Sequence, residues 1–153
     1  MEPTILKGIY LFEDLTDEEL AKISQILVNE KQPEGAFLFH EGDKGEKFYV
    51  ILKGSVRISQ AIRGAGEEAL TILNAGDYFG EMALIDDSPR SADAIVHENS
   101  EFLVISKKDF DELLFFDKEI AYKMLWAFVR TLSRRLRETN DKIKAFLHMA
   151  GNF

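Results

Sequence analysis

The chain has 153 residues and a mass of 17.5 kDa, the size of one domain with a sizeable core. It is 46% hydrophobic and 30% charged with only 3 Pro, which excludes a disordered tail or Pro-rich linker; the absence of cysteine excludes disulfides, zinc thiolates and cysteine nucleophiles. A net charge of −8 makes it a poor stand-alone ligand for nucleic acid, where affinity comes from cations displacing counterions at phosphate.

Met1-Glu2-Pro3-Thr4 lacks the basic start and apolar run of a secretory leader, and no window approaches the ~18 apolar residues of a membrane span. The expectation is a cytoplasmic protein. The first clear element is a short helix opened by Thr16-Asp17-Glu18-Glu19, a capping box with Thr16 as N-cap and Glu19 reaching back. Leu20, Ile23, Ile26 and Leu27 follow at helical spacing, and Leu11, Phe12 and Leu15 are placed to pin the helix to a core.

From about Glu34 to Ser106 the runs shorten and glycines punctuate them. Phe37–Phe39, Phe48–Leu52, Val56–Ile58, Leu70–Leu73, Ala94–Val96 and Phe102–Ile105 read as strands with turn signals between them, the pattern of a sandwich or barrel. Lys53-Gly54 reads as a turn or a kink inside an apolar stretch, and Arg63-Gly64-Ala65-Gly66-Glu67 as a hairpin tip.

After Ser106 the texture turns helical again. Ser106-Lys107-Lys108-Asp109 is a second helix start, and Asp117 caps a long segment with no Gly or Pro before Gly151. Ile120, Met124, Phe128, Leu132, Leu136, Ile143 and Leu147 recur at spacings of four and seven. A helix over 118–149 would span ~48 Å, against ~30 Å for a small domain, so it must overhang. An overhanging apolar stripe predicts a homodimer across a two-fold axis; the alternative is a stripe folded back on its own barrel. Residues 130–144 carry six basic against two acidic side chains, a local +4 that reads as a solvated helix face.

Metal and enzyme chemistry find little support. His40, His97 and His148 lie far apart with no H-x-H or H-E-x-x-H, and there is no nucleophile elbow or P-loop. The segment Gly76 to Ala92 is different. Gly80 lets backbone approach a ligand, and Glu81 to Leu84 can form one helical turn whose amides suit a phosphate. Arg90 supplies a cation and Ser91 a hydroxyl donor, while Glu81 is an acceptor for a sugar hydroxyl. Together these groups suit a phosphorylated ribose. Singly they do not, and Glu81 and Arg90 have the charges to pair with each other instead.

Phe79-Gly80-Glu81-x-Ala83-Leu84 followed by Pro89-Arg90-Ser91-Ala92 resembles the phosphate-binding cassette of cyclic nucleotide-binding domains. Gly35, Gly42, Gly54 and Gly76 sit where that family turns its β-roll, Lys53-Gly54-Ser55-Val56 is also typical of it, and the resemblance runs from about Leu11 to Ile143. It implies a mainly β, jelly-roll-like double-stranded β-helix over about 34–106, with an N-terminal helix and C-terminal helices over about 107–149, in a single domain of residues 1–153. It implies that Phe79, Gly80, Met82, Ala83 and Ala92 line the ligand, Glu81 holds the ribose 2′-hydroxyl, and Arg90 and Ser91 take the cyclic phosphate. Val56 and Leu70 would line the base and sugar pocket, and Thr139 and Asn140 would meet the base, one from each subunit. Asn140 departs from the hydroxyl that the resemblance implies at that position.

The expected function is a non-enzymatic sensor of cyclic AMP, with cyclic GMP as the alternative, that repositions its long helix to reach an unknown downstream protein. The chain stops at Phe153 without a DNA-reading segment, as a stand-alone sensor or a piece of a longer protein would. Two rivals remain: a ligand-free module of the same fold that docks a protein through the long helix, opposed by the intact Gly80, Glu81 and Arg90, and a cupin-like enzyme, opposed by the missing histidine cluster.

Overall fold

The computed structural model describes residues 3–151; Met1, Glu2, Asn152 and Phe153, on which the leader and chain-end expectations partly rest, lie outside the described residues. Two short 3-10 helices, Pro3–Gly8 and Tyr10–Phe12, precede α1 (Asp17–Ser24). The strands are β1 (Val28–Gln32), β2 (Phe37–Phe39), β3 (Lys47–Ile62), β4 (Gly66–Asn74), β5 (Tyr78–Phe79) and β6 (Asp93–Ser106). Helix α2 (Met82–Asp86) lies between β5 and β6, and α3 (Lys107–Phe116) and α4 (Lys118–Ala150) complete the described chain.

All strand pairs are antiparallel, in the order β1-β6-β3-β4, with β2 on β6 and β5 on β3. Two pairs of expected strands merge. Phe48–Leu52 and Val56–Ile58 are both parts of β3, and Ala94–Val96 and Phe102–Ile105 are both parts of β6. Each long strand serves both halves of the roll, and the register shifts between Ile51 and Val56 mark where β3 bends. Gly54 makes the bend at φ +88°, and a Cβ there would lie 2.3 Å from Ser100 Oγ and 2.5 Å from the Asn99 carbonyl oxygen. No L side chain fits that position.

The sheet begins at Val28, upstream of the expected Glu34. Strand β1 escapes a pattern search because Val-Asn-Glu-Lys-Gln is mostly polar and exposed; its backbone pairing with β6 makes it a strand.

The helix starts follow the sequence. Thr16 Oγ1 accepts from the Glu19 amide while the Glu19 carboxylate accepts from the Thr16 amide, closing the capping box. Ser106 caps α3, and Asp117 Oδ1 accepts from the Ile120 amide at the start of α4. The α4 stripe divides. Ile120, Met124 and Phe128 are buried with Leu11, Phe12, Phe48 and Tyr78 in one core cluster, whereas Leu136, Ile143 and Leu147 are exposed. A second cluster, including Tyr49, Val56, Phe79, Phe102 and Val104, fills the roll.

Candidate functional site

The expected cassette turns on Gly80, which follows β5 at φ +87°. Its backbone angle favours glycine, and a Cβ there would come within 2.8 Å of Arg90 Nη1 and displace that guanidinium. The turn delivers the chain into α2, five residues long, with Ala83 and Leu84 buried and Met82 and Ile85 exposed. Strand β5, hidden from a sequence reading by its length, anchors the cassette by pairing Phe79 with Tyr49 and Tyr78 with Val50.

Arg90 and Glu81, though both buried, do not pair with each other. Arg90 lies with its guanidinium carbon 4.1 Å from the Phe39 ring centroid; Nη1 donates to the Gly80 carbonyl at 2.6 Å and Nη2 to the Lys47 carbonyl. Its Nε has no protein partner. Burial draws this guanidinium below its ordinary value, against the pull of Tyr49 and Glu81.

Glu81 pairs with Arg135 of α4 instead. Arg135 Nη1 lies 3.1 Å from Glu81 Oε1, and its Nη2 donates to the Tyr78 carbonyl. Burial pushes the Glu81 carboxyl above its ordinary range, and the Arg135 charge pulls it back. Beneath them Tyr78, its own hydroxyl pushed up to about 12 by burial, packs under the Arg135 guanidinium and donates to the Ala127 carbonyl at 3.3 Å.

Two adjoining cavities open here. One, of about 170 Å³, is walled by Phe39, Phe79, Gly80, Glu81, Met82, Ser91 and Ala92. The other, of about 570 Å³, lies between β4 and α4 and is lined by Leu70, Ile72, Asp77, Arg134, Glu138, Thr139 and Lys142. They share Ile58, Thr71, Leu73 and Arg135 as walls. Together they give one concave surface with an apolar floor and convergent polar groups, the usual form of a small-ligand site.

Most of the anticipated residues therefore gather around one site. Phe79, Gly80, Glu81, Met82, Ser91 and Ala92 line the smaller cavity, and Leu70 and Thr139 the larger. Ala83 and Arg90 sit behind the wall. Val56 is fully buried in the roll's core and touches neither cavity, and Asn140 is exposed outside both. Sequence reasoning missed Arg135, Thr71, Ile58, Leu73 and Phe39. The one signal for Arg135 is its place a helical turn before Thr139, on the same face. A separate open hollow of about 400 Å³ is lined in part by Lys53 and Glu101, whose Nζ and Oε2 lie 3.8 Å apart.

Among the described residues no cluster of three or more His, Cys, Asp or Glu could hold a metal, and no helix is long and apolar enough to cross a membrane. The profile of the family described as "Cyclic nucleotide-binding domain" matches residues 30–116, more than half of the chain. The chain belongs to the cyclic nucleotide-binding domain family. A cyclic AMP receptor protein of Thermus thermophilus is 33% identical over 135 residues, 88% of this chain and 61% of the receptor. A cGMP-dependent protein kinase 2 of Mus musculus is 34% identical over 131 residues, 84% of this chain and 17% of the kinase. The chain thus spans less than two thirds of either relative. A crystal structure of a cyclic nucleotide-binding domain from Methylobacillus flagellatus superposes with a TM-score of 0.81 at 30% identity, covering 93% of this chain and 80% of that one. The β-roll with flanking helices is the fold of this regulatory family.

Proposed function

We propose that this cyclic nucleotide-binding domain is a non-catalytic sensor of cyclic AMP, with cyclic GMP as the alternative, and that it signals by moving α4. The observation that carries the reading is the Glu81–Arg135 contact, which ties the cassette to the long helix at the cavity wall. In this reading the phosphate sits over Gly80 to Ala83 and Ser91, and Arg90 exchanges its two backbone carbonyls for phosphate oxygens. The ribose 2′-hydroxyl donates to Glu81, which shares its carboxylate between sugar and Arg135. The base lies in the larger cavity against Leu70 and Thr139. A ligand that alters the Glu81–Arg135 contact biases α4 by the difference in its affinity for the two helix positions.

The relatives support either messenger, one being a cyclic AMP receptor and the other a cGMP-dependent kinase. The exposed side of α4 supports a homodimer. Tyr122, Leu125, Val129, Leu136, Ile143 and Phe146 are all exposed, and with half-buried Leu132 they keep a heptad spacing. Asn140, outside the chain's own cavities, would then face the partner's base. The downstream protein and a cytoplasmic location belong to the same proposal.

A second reading, a ligand-free module that docks a protein through α4, draws on one observation: Arg90 and Glu81 are both internally bonded. Calorimetric titration with cyclic AMP and then cyclic GMP separates the two readings. Binding at micromolar concentration or tighter supports the sensor, and the ratio names the messenger. No heat with either, matched by no thermal shift, favours the docking module. Arg90→Ala should then weaken binding by about 1.5–3 kcal/mol, the worth of a charge-assisted contact; unchanged affinity rejects Arg90 as the phosphate ligand.

A further inference from the structure

Helix α2 has five residues, far below the ~12–15 that a helix needs to stand alone in water, so its position is imposed from outside. At one end the anchor is apolar. Ala83 and Leu84 are buried, and Ala83 packs so closely on Gly45 that a Cβ on that glycine would lie 2.2 Å from its own. At the other end the chain leaves the helix through Asp87 in the left-handed region, φ 57°, the one non-glycine residue there among the described residues. The anchor at that end is Lys107. Its Nζ donates to the Leu84 carbonyl at 3.2 Å and lies 2.8 Å from Asp87 Oδ1 and 3.5 Å from Asp111 Oδ2. Its backbone amide donates to the Glu46 carbonyl at 2.7 Å.

Lys107 is also the first residue of α3. A cation is unfavourable at a helix N-terminus and favourable at a C-terminus. The dipole therefore disfavours the lysine in α3, where its i,i+4 contact with Asp111 offsets the cost, and favours it at the end of the helix it reaches. We infer that Lys107 is a positioning residue of the nucleotide site, whose ammonium fixes the C-terminal end of α2 against the first turn of α3. The inference rests on the reading of Gly80 to Ala92 as a nucleotide cassette. By ordering α2 before ligand arrives, the contact lowers the cost of binding. Only Asp117 separates α3 from α4, so Lys107 also gives the cassette a route to the long helix distinct from the Glu81–Arg135 contact.

The test uses Lys107→Met, which keeps the stem and removes the ammonium, together with Asp87→Asn and the double variant. Affinity for cyclic AMP or cyclic GMP should fall about threefold to tenfold in Lys107→Met, with the double variant no weaker than that single one. Amide exchange of Leu84 to Asp87, measured without ligand, should accelerate while that of β3 and α1 does not. Unchanged or tighter binding by Lys107→Met overturns the inference. So does exchange that accelerates evenly across the fold, which marks general destabilisation. If the parent binds neither nucleotide, the sensor reading fails on its own, and the ligand-free exchange still decides whether Lys107 holds α2.

Discussion

Arg135 and Glu81 show how one contact sets the chemistry of a buried carboxyl. Glu81 is 1% exposed, and its main compensating charge is the guanidinium 3.1 Å away. Arg135→Ala should cost about 2 kcal/mol, below the full cost of breaking a buried pair because Arg135 is partly exposed. The lost cation pushes the Glu81 carboxyl further above its unfolded value near 4.5. A carboxyl raised in the folded state destabilises above its unfolded value, and the penalty lifts as pH falls through the folded one. The variant's deficit against the parent should therefore shrink as pH falls from 7 toward the unfolded value near 4.5 in thermal melts; a constant deficit would mean that Glu81 does not titrate over that range. Glu81→Ala, in turn, should reduce the preference for a ribose over a 2′-deoxyribose ligand, and equal discrimination would remove Glu81 as the hydroxyl acceptor. The Gly80, Glu81, Ser91 and Arg90 pattern was legible because each residue type answers a chemical need at short sequence distance. Arg135 was hard to single out, since in sequence it is one arginine in a basic run, and only the fold brings it across to Glu81.

Two elements carry the arrangement: β3, bent at Gly54, and α4, held at its start by Asp117. Gly54→Ala puts a methyl against Ser100 and the Asn99 carbonyl at a positive φ, and should cost about 2–4 kcal/mol in urea unfolding. A loss under ~1 kcal/mol would mean that the bend relaxes readily. Asp117 bonds the Ile120 amide and lies 3.0 Å from Lys22 Nζ, and Lys22 and that amide hold its carboxyl below the usual 3.8. A carboxyl lowered in this way contributes stability that is fully present above its unfolded value and is lost as pH falls through the folded one. Asp117→Ala should cost about 1 kcal/mol at pH 7 through the lost cap and flatten the acid limb of the stability curve. An unaltered acid limb would assign the pH dependence elsewhere. Helix starts were readable because caps are local chemistry. The merging of four short strands into β3 and β6 was not, because the turn signal at Lys53-Gly54 and the polar stretch His97 to Glu101 interrupt the apolar runs, whereas β3 bends at Gly54 and pairs with β6 on both sides of it.

At the scale of the whole molecule, the proximal half of α4 closes the core and the distal half projects beyond it. The stripe of apolar residues was visible in the sequence, but its division between two surfaces needed the packing of Ile120, Met124 and Phe128 on the roll. If the chain forms the proposed homodimer, Ile143→Lys, which places a charge on the exposed heptad away from the core, should give monomers by sedimentation with the roll still folded; persistent dimers would move the interface off α4. The same projection has a mechanical consequence. From Arg135, where the cassette grips the helix, about fifteen residues run to Ala150, roughly 22 Å of helix. In the proposed sensor a tilt of about 10° at the grip would sweep the tip sideways by about 4 Å, so α4 would act as a lever arm that turns an ångström-scale adjustment beside a bound sugar into a displacement as large as a side chain.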